Sequence, residues 1–245
     1  MRKVFFVLVT IWLWAVFIVT SLICTLIALV IKLFTMGFDK RLAVLQQFSC
    51  FWGSLYVWLS PLWTVRMEGL EKVDRRKAYV MVSNHQSLLD IVVIDRTFLH
   101  YKWVAKAELF NVPLIGWRMR MNRNVRIDRA NVASQRRMLR ACIQHIQEGS
   151  SVMIFPEGTR SRTGAMGPFR EGAFYVAKTA GADILPMVIT GTREALPRTG
   201  LTFKSFQKIT LRVLDPVPYS AFKDLSEKET AQLVRARMEA ALNNG

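Results

Sequence analysis

The chain begins with an apolar stretch that has no polar face. Val4 to Ile31 (VFFVLVTIWLWAVFIVTSLICTLIALVI) contains no charged residue. It exceeds the roughly 20 apolar residues that cross a bilayer as a helix. A cleavable signal has an apolar core of about 7–15 residues and a small-residue cleavage site. This run is longer, and no A-x-A pattern follows it. The pattern predicts a retained membrane anchor.

A second charge-free run, Leu45 to Trp63, carries two Gln and three Ser among its apolar residues. Its Trp52, Tyr56, Trp58 and Trp63 are residue types favoured at the membrane–water boundary. It reads as the second helix of the anchor, with a buried core helix as the alternative. Arg2 and Lys3 precede the first run, and Lys32, Asp39, Lys40 and Arg41 separate the two. Both flanks are net positive, so a crossing helix would place one of them outside, against the positive-inside tendency. A hairpin that dips into one leaflet keeps both on the cytoplasmic side.

From about residue 65 the pattern becomes that of an α/β domain. Short apolar runs predict strands at 78–83, 102–105, 124–127, 151–155, 184–190 and 209–214. Between them, 87–98 reads as a helix starting near Ser83 or Asn84, and 172–181 as a helix ending at Gly181. Leu139, Cys142, Ile143 and Ile146 recur at helical spacing within 133–148, before Gly149. NVPLIGW, with Pro113 and Gly116, reads as a loop or helix break. Ser226 and Glu229 form a capping-box pattern before a last helix at 227–242. The expected architecture is a mixed sheet flanked by helices over 65–245, preceded by a two-helix hydrophobic anchor over 1–64.

Charge narrows the class of partner. Lys and Arg total 34 against 18 acids, a net charge of +16, which favours phosphate-bearing molecules. Cys24, Cys50 and Cys142 lack CxxC spacing and are odd in number, which argues against a disulfide framework or a zinc site. No metal site or bound cofactor is expected.

Two constellations carry candidate chemistry. SNHQSLLD (83–90) follows a strand and places His85 on the turn before a helix. His85 and Asp90 are five residues apart, so they share no face of one continuous helix. They meet only if His85 precedes the helix and folds back on its first turn. A carboxylate on one ring nitrogen would then set the tautomer, and the other nitrogen would take a proton from a hydroxyl. The alternative is a helix N-terminal region with an incidental histidine. FPEGTRS (155–161) also follows a strand. Arg160 there offers a planar fork to a phosphate, and Glu157 either binds a polar part of the substrate or orients that arginine. The alternative is a surface pair. His100 and His145 belong to no motif, and most of the arginines from Arg118 to Arg140 are expected to face solvent or anionic headgroups, with one or two reaching a phosphate.

Taken together, NHQSLLD (84–90), KAELFNVPLIGW (106–117), RIDR (126–129), FPEGTRS (155–161), FREGAF (169–174) and ILPMVI (184–189) resemble the glycerolipid acyltransferase family, in particular the bacterial lysophosphatidate acyltransferases. The order and spacing agree over roughly 78–190. The resemblance implies transfer of a fatty acyl group from an acyl-ACP or acyl-CoA thioester to the sn-2 hydroxyl of 1-acylglycerol 3-phosphate, forming phosphatidate without a covalent acyl-enzyme. It implies His85 as general base, oriented by Asp90. It associates Glu157, Gly158, Thr159 and Arg160 with the glycerophosphate, and Lys106 and Arg129 with further phosphate contacts. Pro186 would help shape the donor site. FREGAF has Arg170-Glu171 where lysine is frequent in the family. The attack develops an oxyanion, for which a backbone N–H near His85 is the candidate donor. The implied setting is the cytoplasmic side of the inner membrane, with membrane lipids and the thioester carrier as partners and no nucleic acid. Transfer to glycerol 3-phosphate or another lysophospholipid is the alternative. A lipid hydrolase would need a nucleophile, with Ser87 and Ser161 available but no G-x-S-x-G elbow.

Overall fold

Strands covered on both faces carry continuous apolar runs, because helices pack over each side of a parallel sheet. In the computed structural model, which describes residues 2–197, 202–203 and 205–243, this is the character of the central strands. All four residues of β2 (Val80–Ser83) and of β5 (Ser151–Ile154) are buried, as are six of the seven in β6 (Ile184–Thr190). The other strands are β1 (Trp63–Glu68), β3 (Tyr101–Lys106), β4 (Val125–Ile127) and β7 (Gln207–Val213). They form one seven-stranded sheet in the order β1-β7-β6-β2-β5-β3-β4. Every pairing is parallel except the antiparallel β6–β7 pair.

The pleat divides the core between the two faces. Met81, Met153, Leu185 and Met187 meet α1 (Arg2–Thr35), α2 (Ala43–Trp58) and α3 (Leu89–Asp95). Val80, Val82, Val152 and Ile154 meet α5 (Val132–Gln147), α6 (Gly172–Ala180) and α8 (Glu227–Asn243). Two shorter α-helices, α4 (Ile115–Met121) and α7 (Thr192–Ala195), and three short 3-10 helices complete the elements among the described residues. The ends of the long helices follow their local signals. The Asn131 side chain accepts from Ser134 N at the start of α5, and Gly181 closes α6 in a left-handed conformation. Before α8, Ser226 and Glu229 make both bonds of the capping box.

Three expectations change. The apolar run 45–63 is not one helix: it ends near Trp58, and Trp63 begins β1, so the division expected at 64/65 falls inside a strand. NVPLIGW is not all loop, because α4 begins at Ile115. The helix expected over 87–98 covers only Leu89–Asp95, and neither Ser83 nor Asn84 caps it.

Among the described residues, only α1 is long and apolar enough to cross a membrane. Its buried positions are Phe6, Thr10, Leu13, Ser21, Cys24, Ala28 and Thr35. They form one stripe along the whole helix, so α1 lies against the body from end to end. Thr10 Oγ1 accepts from Phe203 N (3.1 Å), and Thr20 bonds Tyr56 of α2 (3.0 Å). The opposite stripe, including Leu8, Ile11, Leu26, Leu33 and Phe34, is exposed.

α2 is half-buried and held by a polar cluster. Asp95, fully buried, accepts from Arg118 Nη2 (3.0 Å) and from the Tyr101 hydroxyl (2.6 Å). Arg118 also donates to Ser49 O of α2 and lies over the Trp52 ring. A Cβ at Gly53 would collide with the Asp95 carboxylate, so α2 approaches α3 only because glycine stands there.

Candidate active site

Ligands of open α/β sheets bind beyond the carboxyl ends of strands, where the connections diverge. β2 is such a strand, with β5 on one side and β6 on the other. Val82 of β2 pairs in register with Ile154 of β5. Continued three residues beyond that pair, the register brings His85 beside Glu157. The two motifs, 72 residues apart, meet because their strands are parallel neighbours.

His85 Nδ1 is 2.7 Å from Asp90 Oδ2. His85 stands on the turn and Asp90 in the first turn of α3, so the chain folds back as the spacing requires. The same oxygen accepts from Gln86 N (2.7 Å) and Ser87 N (2.9 Å). The Asp90 side chain is fully buried, and three donors converge on one of its oxygens. That arrangement leaves Nε2 as the imidazole nitrogen for a substrate proton. The imidazole is 14% exposed and lies flat on Phe155, with centroids 3.9 Å apart and planes 10° apart. Trp103 stacks behind Phe155 at 5.7 Å.

The backbone around His85 is tied on three sides. Glu157 Oε1 accepts from His85 N (3.0 Å), and Oε2 accepts from Gly167 N (2.9 Å). Ser161 N donates to His85 O (2.7 Å). Asn84 Nδ2 donates to Ile189 O, and Asn84 Oδ1 accepts from Ile189 N, both at 2.8 Å. Glu157 thus joins three segments through the backbone. These bonds also overturn one expectation: the N–H groups of His85, Gln86 and Ser87 are committed to carboxylates, so none is free to receive an oxyanion.

Arg170 packs on the Pro156–Gly158 turn next to the dyad, and further cations lie on neighbouring segments. Gly158 is in the left-handed region at φ 71°, and a Cβ there would come within 2.7 Å of Arg170 Nε. Arg129 is partly buried; its guanidinium is pushed below its usual value by burial and next by the nearby charge of Arg170. Lys106 ends β3 in register with Ile127 of β4 and lies 3.8 Å from Glu108. Arg160 is half-buried on the same turn as Glu157, and Thr159 beside it is exposed. Pro186 lies in β6 in register with Val82.

Sequence reasoning assigned no role to Phe155 or Gly167, and offered Asn84 only as a helix start. Their signal is positional: Phe155 and Asn84 are the first residues past two neighbouring strands. His100 and His145 are spoken for elsewhere, by Ser150 Oγ (2.9 Å) and Arg123 O (3.1 Å). The three cysteines are buried and unpaired, and among the described residues no group of three or more His, Cys, Asp or Glu gathers to hold a metal ion.

A family model described as "Acyltransferase" matches residues 64–190. A 1-acyl-sn-glycerol-3-phosphate acyltransferase of Brassica napus is 36% identical over 166 residues, 67% of this chain and 48% of that protein. The Saccharomyces cerevisiae enzyme of the same name is 29% identical over 226 residues, 90% of this chain and 70% of its own. The chain spans about half the length of several of its plant and algal relatives. Among solved structures, the 1-acyl-sn-glycerophosphate acyltransferase PlsC of Thermotoga maritima superposes with a TM-score of 0.82 at 26% identity, over 100% of this chain and 97% of that one. With its histidine–aspartate turn, its FPEGTRS turn and a match over more than half its length, the chain belongs to the acyltransferase family.

Proposed function

We propose that the protein transfers a fatty acyl group from an acyl thioester to the 2-hydroxyl of 1-acylglycerol 3-phosphate, forming phosphatidate. The carrying observation is the His85–Asp90 pair held beside the FPEGTRS turn, which carries Arg160 and packs against Arg170. A base and an anion site at one strand end suit a hydroxyl substrate that bears a phosphate.

In this reading, His85 Nε2 removes the hydroxyl proton while Asp90 holds Nδ1–H and the tautomer. The alkoxide oxygen attacks the thioester carbonyl, and the C–S bond breaks as the tetrahedral intermediate collapses. The proton then passes from His85 to the departing thiolate. Arg160, Arg129, Arg170 and Lys106 hold the phosphate, with Thr159 at the rim. Gly158 permits the turn to pass close to Arg170. Glu157 fixes the turn and the His85 backbone and leaves the phosphate to the cations. A hydrolase would need a presented serine, yet Ser87 Oγ is buried and donates to Leu196 O, and Ser161 Oγ donates to Ala165 O.

The exposed stripe of α1 suits immersion in one leaflet, with the body against the membrane surface on the cytoplasmic side. A lipid acceptor then reaches the site without leaving the bilayer. The test is a donor and acceptor panel with purified protein beside His85→Ala. Phosphatidate formation that collapses in the variant, with lysophosphatidate binding retained, supports the reading. Faster turnover of glycerol 3-phosphate reassigns the acceptor, and wild-type rates in His85→Ala overturn the mechanism.

A further inference from the structure

α5 carries three cations and no acid: Arg136, Arg137 and Arg140 are all exposed. None has an ion pair with any described residue. Val132, 61% exposed, heads the same stripe. From Val132 to Arg140 it runs about 12 Å, longer than a phosphate group needs. An open groove between α5 and β4 adds Arg123 and Arg126. Arginine beside an exposed apolar residue is the composition of a protein-binding surface more than of a merely solvated one.

Two further observations set its orientation. α5 packs on the sheet face opposite α1 and α2, so the stripe points away from the apolar surface of α1. α5 is also the crossover between the parallel strands β4 and β5. Its first turn therefore stands at the carboxyl edge of the sheet, the edge that carries His85 and Glu157. Arg170 lies against the Gly158 turn, and its charge acts on Arg129, which stands three residues before Val132 in the chain.

We propose that the α5 stripe of Val132, Arg136, Arg137 and Arg140 is the docking surface for a small acidic carrier protein that bears the acyl thioester. Its carboxylates meet the arginines while its thioester arm reaches over the carboxyl edge to His85. An anionic membrane is the competing occupant of such charge, and the position of the stripe behind the sheet disfavours it. The inference rests on the proposed acyl transfer but is read out separately from it.

The experiment uses the full chain in detergent with two donors of equal chain length, acyl carrier protein and coenzyme A thioesters, and lysophosphatidate as acceptor. The triple variant Arg136→Glu/Arg137→Glu/Arg140→Glu is compared with wild type and with the triple Arg→Gln variant. Three reversed contacts are expected to raise KM for the carrier-protein donor by about tenfold or more, with kcat and the coenzyme A KM changed less than about twofold. The unchanged coenzyme A reaction reports a folded enzyme. Anisotropy of labelled acyl carrier protein gives the same weakening without turnover, and the Arg→Gln triple falls between. Equal KM changes for both donors, no change for either, or no binding of the carrier protein by wild type overturns the docking surface. So does loss of binding to phosphatidylglycerol/phosphatidylethanolamine vesicles in the Glu variant. If neither donor acylates lysophosphatidate while the anisotropy difference persists, the proposed function fails and the docking surface stands.

Discussion

Asp90 Oδ2 lies 2.7 Å from His85 Nδ1 and also accepts the backbone N–H groups of Gln86 and Ser87. The carboxylate therefore holds the imidazole and shapes the turn that presents it. Replacing it with an amide keeps the volume but removes the charge that three donors share. Asp90→Asn is expected to lower kcat by roughly two to four orders of magnitude, with acceptor binding within a few-fold of wild type. Initial rates of phosphatidate formation and lysophosphatidate binding to the same preparation check it.

Glu157 spans His85 N and Gly167 N with its two oxygens. Glu157→Ala strands both donors in a poorly solvated turn. Charge-assisted bonds of this kind contribute about 1.5–3 kcal/mol each, so a loss of about 3 kcal/mol is expected in denaturant unfolding. Glu157→Gln keeps one acceptor and should lie between. Because Glu157 reaches His85, kcat should fall more than KM rises; a pure KM effect would return Glu157 to direct substrate contact.

Phe155 is a flat support for the imidazole, itself backed by Trp103. Such stacks contribute about 0.5–1.5 kcal/mol. Phe155→Leu is expected to lower kcat by up to about tenfold with KM little changed, while Phe155→Tyr retains kcat. An unchanged kcat in Phe155→Leu would leave Phe155 as packing alone.

The anchor junction should be brittle. Arg118→Met leaves Asp95 buried without its cation, which is expected to cost about 3–5 kcal/mol. Adding Asp95→Asn should recover part of it. Gly53→Ala, which drives a methyl into the same carboxylate, should loosen α2 and lower Tm. Thermal unfolding in one detergent distinguishes the variants.

Acid should destabilise the fold through two histidines, His100 just before β3 and His145 in the last turn of α5. Burial, then the charges of Lys102 and Arg41, pushes His100 down to about 4 from 6.5, and burial lowers His145 as well. As pH falls from 6.5 toward 4, the unfolded chain takes up protons that the native His100 refuses. Stability therefore falls through that window, by about 3 kcal/mol from His100 at most. Above pH 6.5 this contribution vanishes. His100→Gln should flatten the slope of unfolding free energy against pH.

Much of the fold follows from local pattern. The apolar runs at 151–155 and 184–190 are strands because they are short, bounded by turn residues and covered on both faces. Gly149, Gly181 and the Ser226–Glu229 pair mark helix ends because their chemistry acts within a few residues. Local pattern misled where one apolar run served two elements. Leu45–Trp63 has no charge to mark the change from α2 to β1, and the short α4 hides behind Pro113. Packing, and not propensity, decides both.

The site divides the same way. By itself the sequence determined that His85 stands at a strand end, that Asp90 meets it only across a turn, and that a long apolar helix heads the chain. Residue type and spacing suffice for those, since each depends on neighbours a few positions away. Only the tertiary structure decided that β2 and β5 are parallel neighbours whose register sets His85 beside Glu157, that Phe155 lies under the imidazole, and that the N–H groups after His85 are already taken. It also decided that α1 lies along the body while the arginines of α5 face the other way. These relationships join residues tens of positions apart, and strand order and the pleat bring them together where no local signal reaches.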